Sequence, residues 1–119
     1  MKILIADDSL VTQMTMRHIL HAAGHEVTVV ADGREALRAM GNRPVDLLVS
    51  DISMPGMDGL TLLRTMRASA ALCAVPVILI TGSAEQIAAA RAANATALLT
   101  KPVSSRQVVE RVAEVAFSQ

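Results

Sequence analysis

The sequence predicts an α/β fold: five parallel strands alternating with five helices that cover both faces of one sheet. Three observations predict it. Short apolar runs recur without polar alternation, as strands buried on both faces require. Stretches with apolar residues at helical spacing separate them, and several open on a serine and stop at Gly or Asn. Strand–helix alternation then implies right-handed crossovers within a parallel sheet.

The first apolar run, Lys2-Ile3-Leu4-Ile5-Ala6, ends at Asp7-Asp8 and reads as strand one. Ser9 offers a capping oxygen for a helix that runs to about Ala23 and stops at Gly24. Met16, Ile19, Leu20 and Ala23 share one face and should meet the sheet, whereas Val11 and Met14 lie on another and should be partly exposed. Residues 27–31 form a β-branched second strand, Asp32-Gly33 turns the chain, and 34–40 is a short helix closed by 41–44. Residues 45–50 are strand three, ending at Asp51. Met54-Pro55-Gly56-Met57-Asp58-Gly59 continues neither a strand nor a helix, because Pro fixes φ and Gly permits left-handed backbone. A third helix over 60–68 buries Leu62, Leu63 and Met66. Strand four covers 75–80 and ends at Thr81-Gly82. Ser83 caps an alanine-rich helix that stops near Asn94. Strand five is 97–99, followed by Thr100-Lys101-Pro102. Ser104 or Ser105 caps a last helix with Val108, Val112 and Val115 in one stripe.

At 119 residues and 52% hydrophobic, the chain is one domain with an aliphatic core and is not disordered. Zero net charge argues against a dominant nucleic-acid or anionic-membrane surface. Residues 70–80 are interrupted by Pro76 and too short to span a bilayer, and no secretory leader is read before Lys2. Cys73 is alone, which fits a reducing cytoplasm and a role as a small apolar filler.

In a parallel sheet all strand ends share one edge. Four of them carry polar groups: Asp7 and Asp8, Asp51, Thr81 and Lys101. If strands one and three are neighbours, three carboxylates meet at the switch point. Such an oxygen cluster suits Mg²⁺, with Lys101 as a mobile cation and Thr81 as a hydroxyl donor. The set fits phosphoryl transfer onto a carboxylate, with positioning and charge neutralisation as the catalysis. Asp51, alone at the centre of the edge, is the best nucleophile. Asp7 and Asp8, adjacent at one strand end, are better metal ligands.

Asp7-Asp8-Ser9, Asp51 with the 54–59 turn, Thr81-Gly82 and Lys101-Pro102 together resemble the receiver domain of two-component response regulators, a CheY-like, flavodoxin-like family. The resemblance covers essentially the whole chain. It implies the strand order 2-1-3-4-5 and a single 1–119 domain. It implies that Asp51 is the phosphoacceptor, taking the group from a sensor histidine kinase or a histidine phosphotransfer protein. Asp7, Asp8, Asp51 and the backbone carbonyl of Ser53 would hold Mg²⁺. Thr81 would hydrogen-bond the phosphoryl group, Lys101 would pair with it, and the Lys101–Pro102 bond is often cis in relatives. The chain would then catalyse its own phosphorylation and dephosphorylation rather than turn over a substrate. It would relay signals in the cytoplasm to an unidentified protein target, with no nucleic-acid or membrane partner. Many relatives dimerise through the faces of helices four and five, so a phosphorylation-dependent dimer is allowed. Leu98 departs from the pattern, since relatives carry Tyr or Phe there to report the Thr81 movement.

Two other readings stand beside it. One is a phosphohydrolase with an aspartyl-phosphate intermediate, disfavoured because Ser53 stands where such enzymes place a second acid. The other is an interaction module without phosphorylation, disfavoured by the intact Asp8, Asp51 and Lys101. Asp58, before Gly59, is expected to bond its own backbone. The chain ends about where the last helix should, so no output domain is expected. Both a stand-alone regulator and one domain of a longer protein fit.

Overall fold

The computed structural model describes residues 1–117. Its elements are β1 Lys2–Ala6, α1 Leu10–Ala22, β2 Glu26–Val30, α2 Gly33–Asn42, β3 Leu47–Asp51, α3 Gly59–Arg67, β4 Val77–Thr81, α4 Ala84–Ala92, β5 Ala97–Thr100 and α5 Ser105–Phe117. The strands are all parallel, in the order β2-β1-β3-β4-β5. The predicted fold and strand order are those observed.

The apolar runs explain the layering. Successive strand side chains point to opposite faces. Ile3, Ile5, Leu47, Val49, Ile78 and Ile80 therefore pack on one side with Met16 and Leu20 of α1 and the Val108, Val112 and Val115 stripe of α5. Leu4, Ala6, Leu48, Val77 and Leu79 pack on the other, with Ala36 and Met40 of α2, Leu62, Leu63 and Met66 of α3 and Ala90 of α4. Every residue of β3 and β4 is buried.

Local chemistry sets the helix ends. The side chains of Ser9, Asp32, Asp58 and Ser83 accept from backbone N–H groups in the first turns of α1 to α4. At α5, Ser104 Oγ accepts from Gln107 N while Gln107 Oε1 accepts from Ser104 N, a reciprocal capping box. Helix α1 stops at Gly24 (φ +96°), and the α4 end carries Asn94 in the left-handed region (φ +66°). Arg67 pins this corner. Its guanidinium donates to the carbonyls of Asn94, Cys73 and Val75 at 3.1, 3.2 and 2.7 Å.

Several expectations need correction. Strand β2 starts at Glu26 and ends before Ala31, while α2 begins at Gly33 with Asp32 as its cap. Strand β3 begins at Leu47, and just before it Asp46 is tied to Lys2 twice, its side chain accepting from Lys2 N at 2.7 Å and its N–H donating to Lys2 O at 2.8 Å. Asp51 is its last strand residue rather than the first beyond it. Ala23 is exposed at the α1 terminus rather than on the sheet. Cys73 is no core filler. It is exposed in the turn region between α3 and β4. No helix among the described residues is long and apolar enough to cross a membrane.

Interior and surface make a stability contrast. Leu48, fully buried, should cost about 2–5 kcal/mol when replaced by Ala. Phe117, 90% exposed, should cost under about 0.5 kcal/mol. Urea denaturation of the two variants measures both.

Candidate functional site

The register builds the site. Ala6 pairs with Ser50, so the next residues, Asp7 and Asp51, stand side by side at the carboxyl ends of adjacent strands. Adjacent strands run about 4.8 Å apart, which leaves these acids little choice but to be neighbours. Asp8 joins them. Each of the three offers one oxygen, and these oxygens lie within 4.8 Å of one another. Asp7 and Asp51 are buried and Asp8 is exposed.

Lys101 approaches from β5. Its backbone N–H donates to Thr81 O at 2.8 Å, fixing it against the end of β4, and the Lys101–Pro102 bond is cis. Its Nζ then reaches Asp51 Oδ2 at 3.0 Å. Asp51 Oδ1 is buried without a hydrogen-bond partner. A buried, unpartnered carboxylate oxygen is costly unless something positive meets it.

The backbone behind Asp51 is fixed closely. Ser50 Oγ donates to Asp51 O at 2.8 Å, and Gly59 N donates to Ile52 O at 2.9 Å. A Cβ at Gly59 would collide with the Asp51 carbonyl, so this position admits only glycine without displacement. Gly56 holds the turn between them at φ +71°.

The Asp7 turn is fixed from two sides. Asp7 Oδ1 accepts from Ser9 N at 2.8 Å, and Asp7 O accepts from Gln13 Nε2 at 2.6 Å. Gln13 was not singled out in the sequence. A polar residue on the first turns of a helix that follows an acid pair is too common a feature to signal it. Burial pushes the Asp7 carboxyl above the usual carboxylate range. The Ser9 N–H pulls it back, the charges of Asp51 and Asp8 push it up again, and Lys101 lowers it.

These groups line a cavity of about 590 Å³ with Ser53 and the apolar Met16, Ile80 and Val103. Thr81 behaves differently. It is buried at the end of β4 but does not line this cavity. Its hydroxyl accepts from Ser83 N at 3.1 Å and donates to Gln86 Oε1 of α4. Asp58, as expected, serves the backbone: its side chain accepts from Thr61 N at 2.7 Å. Leu10, Val11 and Met14 expose 69%, 76% and 66% of their surfaces on α1, which bears out the expectation for Val11 and Met14.

The donor set fits a small hard cation. All three side chains are oxygen donors, their spacing suits one ion, and Asp51 Oδ1 awaits a positive partner. Mg²⁺, which takes few protein ligands and keeps waters, matches that chemistry.

A carboxylate cluster with one lysine stands at the switch point of a 2-1-3-4-5 sheet, the edge where open α/β sheets bind their ligands. Comparisons with known proteins name the family. The response regulator receiver domain model matches residues 3–113. The chain is 35% identical over 118 residues to the chemotaxis protein CheY of Pseudomonas aeruginosa, covering 97% of this chain and 95% of that protein. It is 34% identical over 122 residues to the sensory/regulatory protein RpfC of Xanthomonas campestris, covering 99% of this chain and only 17% of RpfC's length. Among solved structures, the chemotaxis response regulator CheY4 of Vibrio cholerae superposes with a TM-score of 0.90 at 31% identity, covering 96% of this chain and 97% of that one. The receiver domain of a Syntrophus aciditrophicus signal transduction histidine kinase gives 0.92 at 31% identity, covering 98% and 90%. The chain belongs to the response regulator receiver domain family.

Asp7 yields a pH-dependent prediction. Its folded pKa is raised, so its ionised form opposes folding once the pH exceeds the carboxylate range. That penalty fades as pH falls to about 4, where folded and unfolded chains both become protonated. Asp7→Asn keeps an acceptor for Ser9 N. It should raise the melting temperature of the metal-free protein near neutral pH, and the gain should shrink on acidification. Mg²⁺ should raise the wild-type melting temperature more than the variant's. Differential scanning fluorimetry across pH, with and without Mg²⁺, reads both effects.

Proposed function

We propose that the domain accepts a phosphoryl group on Asp51 from a phosphohistidine of a sensor kinase or phosphotransfer protein, in two-component signalling. The observation that supports this best is the Asp51 carboxylate itself. One oxygen is paired to Lys101 and the other is buried and unpartnered, in a cluster that a single cation would complete.

In the transfer, an Asp51 oxygen forms a bond to phosphorus as the phosphorus–nitrogen bond of the phosphohistidine breaks. The electron pair stays on the imidazole nitrogen, which takes a proton. Asp7, Asp8, Asp51 and the Ser53 carbonyl would hold Mg²⁺, which when bound neutralises charge on the phosphoryl oxygens. Lys101, 47% exposed at its side chain, has the freedom to move from Asp51 onto the transferred group. The Thr81 hydroxyl, at the end of the neighbouring strand, would give a hydrogen bond to it. Asp7 is held by Ser9 N at its carboxylate and by Gln13 at its carbonyl. The protein thus acts as a stoichiometric acceptor with self-catalysed loss of the group rather than as a turnover enzyme.

Leu10, Val11 and Met14 form an exposed apolar strip on α1, and the neighbouring Ser9 and Thr12 line the cavity. A donor protein seated there would bring its histidine to Asp51. The lone exposed Cys73 and the absence of a spanning helix among the described residues are compatible with work in the cytoplasm.

Intact mass after incubation with acetyl phosphate and Mg²⁺ is the test. Wild type should gain about 80 Da, the mass of one phosphoryl group. The gain should require Mg²⁺ and vanish in Asp51→Asn. A folded wild type that stays unlabelled by acetyl phosphate and by phosphorylated kinases would sink the reading.

A further inference from the structure

Thr81 is the group the cavity lacks, and α4 is a helix that buries a single residue. Both facts meet at Gln86. Ala90 is the one buried residue of α4, and Ala84, Glu85, Ala88, Arg91 and Ala92 are exposed. The two ends of this helix are held differently. At its carboxyl end Ala95 N donates to Ala90 O at 3.0 Å, and Arg67 grips the Asn94 carbonyl from α3. At its amino end the hold is polar. Gln86 N donates to Ser83 Oγ at 3.4 Å, Ser83 N donates to Thr81 Oγ1 at 3.1 Å, and the Thr81 hydroxyl faces two acceptors, the nearer Gln86 Oε1 and, at 3.4 Å, Ser83 O.

A threonine hydroxyl carries one proton. Given to Gln86, that proton is not available to a phosphoryl group on Asp51. We propose that Gln86 is a positioning residue: it holds the Thr81 hydroxyl towards α4 in the unphosphorylated protein, so that the movement of this hydroxyl onto the phosphoryl group expected of a receiver domain must break the Gln86 bond, while Arg67 keeps the other end of α4 in place. This rests on the phosphoacceptor reading of Asp51. It also gives Thr81 a direct partner on α4 in a chain whose residue 98 is an aliphatic leucine rather than an aromatic one. The signal passes from strand end to helix through one side chain.

The bond with Gln86 and the bond with the phosphoryl group compete, so removing the first favours the second. An intramolecular hydrogen bond of this kind corresponds to roughly two- to tenfold in an equilibrium. Gln86→Ala should therefore raise the apparent affinity for beryllium fluoride with Mg²⁺, an aspartyl-phosphate mimic, by roughly that factor. A merely structural loss would weaken binding or leave it unchanged. Gln86→Glu keeps an acceptor oxygen for the Thr81 hydroxyl and should return the affinity towards wild type.

Amide hydrogen exchange of residues 83–88, in the protein without metal or phosphate, reads the latch independently. Exchange should quicken in Gln86→Ala by a similar factor and return in Gln86→Glu. Unchanged exchange and unchanged affinity in Gln86→Ala would overturn the proposal. Faster exchange with unchanged affinity would leave Gln86 a helix staple and overturn its link to Thr81. Faster exchange in Gln86→Ala with no beryllium fluoride binding even in wild type would place the failure in the phosphoacceptor reading instead.

Discussion

Three carboxylates repel one another, and the sheet register gives two of them no room to part. Two charges about 5 Å apart at an effective dielectric near 20 oppose each other by about 3 kcal/mol. That is a large fraction of a domain's whole stability, about 5–15 kcal/mol. Much of the surrounding structure can be understood as a response. Lys101 is anchored by its backbone to Thr81 and leans onto Asp51 from the far side. Asp7 shifts towards its protonated form, since burial disfavours its charge and its acidic neighbours add to that. Ser9 N and Gln13 hold the Asp7 turn so that its carboxylate cannot swing away. The strain is local and chemical, and a cation among the three acids would relieve it.

The strand ends were legible because they obey two independent rules at once. Asp7, Asp51, Thr81 and Lys101 each close an apolar run, and parallel topology puts all such closures on one edge. Helix starts were legible for a similar reason: Ser9 and Ser83 are good acceptors standing just before helical periodicity. Where only one rule applied, the reading slipped. Val45 and Val75 are β-formers, but β3 and β4 each start two residues later, after Asp46 is recruited by Lys2 and after Pro76. Cys73 looks apolar in sequence, but it lies in a turn region whose carbonyls are bound by Arg67. That arginine comes from another element, and no local pattern announces it.

The direction of Thr81 was not legible at all. Sequence places the residue at the right strand end and predicts a hydroxyl donor there. Which acceptor takes the proton depends on where Gln86 falls in the first turn of α4 and on the course of the 81–83 turn. Gln13 escaped for the same reason. Each is an ordinary amide side chain whose meaning comes from the group it happens to reach, a backbone carbonyl for Gln13 and the Thr81 hydroxyl for Gln86.

Consecutive strand residues feed opposite interiors, and the strand ends feed neither. The aliphatic positions that specify the fold, the few polar positions that carry the chemistry, and the outward helix faces are therefore nearly separate sets of residues. Each set can drift under its own rules. A third of the positions shared with a Vibrio chemotaxis regulator, beside a TM-score of 0.90, is what such separation produces. One scaffold can thus supply many insulated signalling channels in a single cell, because changing whom a copy listens to requires no change in how it folds or reacts.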